Sequence, residues 1–80
     1  MPKPHHPLVS KEWAEKLEPY FGQLKPRQEQ MIRMRFGLGY PPHTYSQLAK
    51  AWGISRERCR QIIHRSIFRL YSIYRKEAEA

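Results

Sequence analysis

The 80-residue sequence predicts an all-α fold, a four to five helix bundle in which a short helix, a tight turn and a long C-terminal helix form a helix-turn-helix. Three observations predict it. From Ser10 onward apolar residues recur at three- and four-residue spacing, which gathers them on one side of a helix. No segment alternates apolar and polar residues with the period of two that a half-buried strand needs. Gly22, Gly37, Pro41-Pro42 and Gly53 fall at the joints between the periodic stretches, where helices must end.

Each element follows from local chemistry. Pro2, Pro4 and Pro7 deny residues 1–9 a helix of their own, so a flexible, extended arm is expected there. Ser10 is an N-cap for a first helix whose apolar face carries Trp13, Leu17 and Tyr20 or Phe21; Pro19 lies in its last turn and Gly22 stops it. Pro26 opens a second helix with Met31, Ile32, Arg35 and Phe36 on one stripe, Leu24 packing in front, and Gly37 as a left-handed cap. Gly39-Tyr40-Pro41-Pro42-His43 must be a loop. Thr44 and Gln47 form a capping box for a third helix, whose Tyr45, Leu48, Ala49 and Trp52 share a buried face. Gly53 ends that helix and Ser55 caps a fourth. On this last helix Cys59, Ile62, Ile63, Ser66, Ile67, Leu70 and Tyr74 fall on one side, reaching roughly Lys76. The expectation is one domain over residues 10–76 and a short tail at 77–80, since so small a chain supports one core.

Composition narrows the partners. Fifteen Lys and Arg against seven Asp and Glu give a formal charge of +8, which favours a polyanion, nucleic acid first and an anionic membrane surface second. No apolar run has the length of a membrane span, and the first residues lack the apolar core of a signal peptide. The single Cys59 cannot form an internal disulfide, and a cytoplasmic location is expected. His5, His6, His43, His64 and Cys59 have no metal-ligand spacing, and no nucleophile stands beside an oriented base. Neither cofactor nor catalysis is expected.

The segment from Tyr45 to His64 carries the functional signal. Two helices joined this tightly need a small residue where they cross, supplied by Ala49, and a residue that tolerates positive φ in the turn, supplied by Gly53. Leu48, Trp52, Ile54, Cys59 and Ile62 supply the apolar contacts around the turn. An ordinary αα-corner is the competing reading. On the opposite face of the fourth helix, Arg56, Glu57, Arg60, Gln61 and His64 share one surface. Arg matches guanine O6 and N7, Glu accepts from cytosine N4, and Gln matches adenine N6 and N7. Non-specific phosphate binding gains nothing from Glu57, whereas base readout does. The alternative is a solvated charged face holding an Arg–Glu pair.

Two stretches make the resemblance specific. Arg33-Met34-Arg35-Phe36-Gly37-Leu38 and Ser55-Arg56-Glu57-Arg58-Cys59-Arg60-Gln61-Ile62 resemble the two signatures of region 4 of housekeeping-type bacterial sigma factors. Leu24-Lys25-Pro26-Arg27 resembles the start of that region, and Thr44-Tyr45-Ser46-Gln47-Leu48 its first motif helix; the likeness covers about residues 24–71. It implies binding to double-stranded promoter DNA at a −35 element and docking on the flap of the RNA polymerase β subunit. By position it assigns base reading to Arg56, Glu57 and Gln61, and DNA-backbone contacts to Arg27, Arg35, Thr44, Lys50 and Arg58. Arg60 stands between the two roles and is counted with the base readers.

The departures from the family pattern are local. Lys25 and Gln28 stand where the family has Ser or Thr followed by Glu; a lysine cannot accept the capping bond, which removes about 1 kcal/mol of capping. Cys59 replaces a usual isoleucine. After Ile62 the run Ile63-His64-Arg65-Ser66-Ile67-Phe68-Arg69-Leu70-Tyr71 is more apolar and aromatic than the family's charged one. Phe68, Tyr71 and Ile73 widen the stripe; they either pack against the first helix or form a patch for a protein partner. No stretch resembles the sigma region that melts and holds the −10 element, so these residues, if the whole chain, are not expected to make a complete sigma factor. Two functions compete: a region 4-type DNA-binding regulator, host- or phage-encoded, and a mimic acting on polymerase or a sigma partner through protein contacts alone. The sequence leaves the oligomeric state open.

Overall fold

A computed structural model describes residues 7–79, and the part of the expected arm that falls on residues 1–6 lies outside them. The described elements are α1 (Lys11–Leu17), a 3-10 helix (Glu18–Gln23), α2 (Pro26–Phe36), α3 (Tyr45–Trp52) and α4 (Arg56–Glu79). No strand occurs among the described residues. The all-α architecture expected from the sequence is the one observed.

Local chemistry sets most of the boundaries. The Ser10 hydroxyl accepts from the Trp13 amide at 3.3 Å and starts α1. Pro19 has no N–H to donate, so the α-helical ladder ends at Leu17 and the chain tightens into the 3-10 helix rather than continuing to Gly22. Lys25 precedes α2 without accepting a capping bond, but the returning half of the box forms: the Lys25 amide donates to Gln28 Oε1 at 3.2 Å. Thr44 and Gln47 make both halves, at 3.1 Å and 2.8 Å. Gly37 and Gly53 close α2 and α3 in the left-handed region, at φ 75° and 69°.

Two sequence expectations change at the ends of the domain. Val9, assigned to the arm, is fully buried and Leu8 packs half-buried beside it, because burial of two aliphatic side chains outweighs the lack of local structure. The last helix runs past Lys76 to Glu79, supported by an Arg75–Glu79 pair one turn apart, so the expected tail is helical through Glu79.

α4 is the spine of the core. Its Cys59, Ile63, Ser66, Ile67 and Leu70 are buried, and the other elements pack around that stripe. Ser66 is the one buried polar residue among those described, and its hydroxyl donates to the Ile62 carbonyl at 2.8 Å. α3 crosses near the start of α4 at Leu48 and Ala49, both buried, while α1 covers its far half. There Trp13 meets Tyr71 and Tyr74 edge-on at 5.3 and 5.6 Å, and the two tyrosines stack on each other. Of the two places left open for the widened stripe, Tyr71 takes the one against the first helix; Phe68 and Ile73 are half-buried against the core. Arg33 fastens the 3-10 helix to α2: it donates to Glu18 at 2.7 Å and Glu29 at 2.9 Å, and its guanidinium lies over the Phe21 ring. The two carboxylates hold the Arg33 pKa above its ordinary value.

Candidate nucleic-acid interface

The turn between α3 and α4 decides which side chains face outward. The Gly53 N–H and the Ile54 N–H both donate to the Ala49 carbonyl, so two donors share one acceptor and the chain reverses in two residues. Ser55 then accepts from the Arg58 amide at 3.0 Å and starts α4. With Cys59 and Ile63 turned inward, Arg56 and Glu57 are exposed on the first turn of α4, and Arg60, Gln61 and His64 lie half-buried behind them. The structure therefore brings together the four side chains expected to read bases.

Three of those four form a network. Arg60 grips Glu57 through two hydrogen bonds, Nε to Oε1 at 3.0 Å and Nη2 to Oε2, and Gln61 Nε2 donates to the same carboxylate at 3.5 Å. The hydrogen bonds that Arg60 donates to the Glu57 carboxylate raise the Arg60 pKa. Such a network can present a fixed pattern of donors and acceptors, or open and re-form on base edges. His64 extends the surface by one turn, its Nε2 lying 3.2 Å from the Tyr45 hydroxyl, so a residue expected only to pack is also bonded to the edge of this polar face.

The residues expected at the DNA backbone fall in three places. Lys50 on α3 and Thr44, its N-cap, are exposed, with the Thr44 hydroxyl engaged in capping. Arg27 and Arg58 line one cleft between the start of α2 and α4, together with Lys25, Gln28, Met31 and Ile62. Arg35 is set apart from both: half-buried, it lies 4.4 Å from the Tyr45 ring and donates to the His43 carbonyl at 3.3 Å, tying the 39–43 loop to α2.

Some contributors escaped the sequence reading. Lys25, counted only as a missing cap, adds a cation to the cleft. Trp52, expected to be buried, is half-buried, with the Arg27 guanidinium 5.1 Å from its ring centroid. No local pattern signals a contact between residues so far apart in sequence. Burial of Cys59 pushes its thiol pKa up, in part offset by the charge of Arg35, which marks it as a packing residue. Among the described residues no three His, Cys, Asp or Glu gather as a metal site, and no described helix is long and apolar enough to cross a membrane.

No solved structure matches the chain. The family described as Sigma-70, region 4, matches residues 20–72, a span that takes in the 3-10 helix from Tyr20 onward, α2, the loop, α3 and most of α4. Domains of this family are non-enzymatic and bind promoter DNA and RNA polymerase. Matched over well more than half of its length, and carrying a helix-turn-helix with a polar outward face on its second helix, this chain belongs to the sigma-70 region 4 family.

Proposed function

We propose that the chain binds a promoter −35-like element by laying the first turns of α4 in the major groove, and that it also docks on the β flap of RNA polymerase. One observation carries the DNA reading: Arg56 and the joined Glu57, Arg60 and Gln61 project from the start of the second helix of a helix-turn-helix. In this pose Arg27, Lys50, Thr44 and Arg58 hold the backbone, and Arg35 acts chiefly through the loop that it fastens. An acidic side chain inside a basic face favours readout over non-specific attraction, because it repels phosphate and accepts from a cytosine amino group. Family membership and the half-buried Phe68 and Ile73 on the far half of α4 support polymerase contact on a surface apart from the reading face.

The test is titration of the 80-residue chain against a TTGACA-containing duplex and a scrambled one over a range of salt concentrations. Preference for the first duplex is expected, with a log–log salt slope of roughly −3 to −5 for the three cations Arg27, Lys50 and Arg58 and a few further phosphate contacts. Equal affinity for both duplexes defeats base reading. Flap binding without duplex binding favours a chain that acts by protein contact alone.

A further inference from the structure

We propose that Trp52 is a positioning residue for DNA binding: its indole face holds the Arg27 guanidinium at the cleft shared with Lys25 and Arg58, ready for a backbone phosphate. The proposal rests on the DNA-binding reading above and adds to it a residue that touches no DNA.

Three observations lead there. Arg27 is exposed, yet its Cζ lies 5.1 Å from the centroid of the Trp52 ring. A free surface arginine samples many rotamers and loses that freedom on binding; one already resting on a ring loses less. The charge of Arg27 is also left available. Arg33 and Arg60 are tied to carboxylates, whereas Arg27 is paired among the described residues with a π face, which orients a cation without neutralising it. Finally, the indole Nε1 is buried without a hydrogen-bond partner among the described residues. A tryptophan that uses its N–H is explained by that bond. Here the polar edge makes no bond among the described residues, so an aliphatic residue such as leucine would fill the position at lower desolvation cost. What an aromatic ring supplies beyond packing is the π face under Arg27.

Position completes the argument. Trp52 ends α3, one residue before the Gly53 turn, while Arg27 is in the first turn of α2. The stacking therefore links the helix that enters the motif to the cleft beside α4, where Lys25, Arg27 and Arg58 gather. A phosphate held there fixes the duplex at the edge of the reading face, so rigidity at Arg27 sets the register in which Arg56 and Gln61 meet bases.

The test is a double-mutant cycle on duplex affinity with Trp52→Leu, Arg27→Ala and the double variant, and Trp52→Phe as the conservative control. Arg27→Ala is expected to weaken binding to TTGACA and scrambled duplexes alike and to reduce the salt slope by about one. Trp52→Leu is expected to weaken both by roughly 2- to 5-fold, the scale of an exposed cation–π contact. It should add nothing in the Arg27→Ala background, and Trp52→Phe should restore most of the loss. Additive losses, or full affinity of folded Trp52→Leu, overturn the proposal while leaving the DNA reading intact. A wild-type chain that binds no duplex overturns both. Should Trp52→Leu fail to fold, the wild type decides: the Arg27 δ protons should show a ring-current shift by NMR that persists on adding duplex. A shift absent, or lost on binding, overturns the positioning role.

Discussion

Glu57 is the side chain with the most conflicting demands. Phosphate repels it, yet it organises Arg60 and Gln61 into one unit on the proposed reading face. On the proposed pose, Arg56→Ala and Gln61→Ala should each cost about 1–3 kcal/mol on the preferred duplex and far less on a random one. Glu57→Ala should shrink the difference between the two duplexes by releasing Arg60 to any phosphate. Competition binding checks all three; equal losses on both duplexes for Arg56→Ala and Gln61→Ala would show that neither reads bases. Cys59 gives a separate test of the core. Its thiol titrates above its ordinary value because burial disfavours the thiolate. The folded state therefore holds the proton more tightly than the unfolded chain. The resulting stability is present below the unfolded pKa of about 8.5 and is lost as pH rises from there through the folded value. Comparing melting temperatures of wild type and Cys59→Val from pH 7.5 to 10, the wild type should lose more with rising pH. Parallel curves would place the thiol outside the packed interior.

At the scale of elements, the two helix-ending glycines look alike in sequence but face different surroundings. Both have left-handed backbones, which cost an L-residue roughly 1–2 kcal/mol. At Gly53 an added Cβ would meet nothing within 4 Å. At Gly37 it would lie 3.0 Å from Pro42 Cγ and 3.3 Å from the Tyr40 carbonyl oxygen, so the loop before α3 would have to move. Gly53→Ala should therefore destabilise by about 1–2 kcal/mol and Gly37→Ala by more, measured by urea unfolding. Similar losses would mean that the 39–43 loop yields freely. That loop is pinned by the His43 amide on the Met34 carbonyl at 2.9 Å and by Arg35. In this way the sigma-like signature at Arg35 and Gly37 shapes the approach to α3.

Across the whole molecule, α1 and the far half of α4 close the core away from the reading face. Trp13, Tyr71 and Tyr74 form this closure, and Lys16 lies over the indole at 4.7 Å. A small domain has a thin core, so losing one large aromatic contact matters. Trp13→Ala should destabilise by about 2–4 kcal/mol, less than for a fully buried ring because Trp13 is half-buried. Tyr71→Ala should follow in the same direction. A melting temperature unchanged by Tyr71→Ala would mean that its ring contacts contribute little and would leave it free for a partner. Phe68→Ala separates the surfaces: weaker polymerase binding with duplex affinity unchanged within about threefold places docking on the far half of α4, a shift under ~1 kcal/mol for DNA.

The sequence by itself determined the helices and the motif, because those depend on interactions a few residues long. Ser10, Thr44 and Ser55 cap within three residues, Gly37 and Gly53 meet a backbone requirement, and the α4 stripe follows from helical period. The shared outward face of the proposed base readers was legible for the same reason: with Cys59 and Ile63 inward, Arg56, Glu57, Arg60 and Gln61 must point elsewhere. Tertiary structure alone decided what depends on residues distant in sequence. It buried Val9, set Tyr71 against Trp13, drew Arg35 into the loop and laid Arg27 on Trp52. Each outcome is a contact between elements whose relative placement no local pattern encodes, and an arginine reads the same in sequence whether it meets a ring, a carbonyl or a carboxylate.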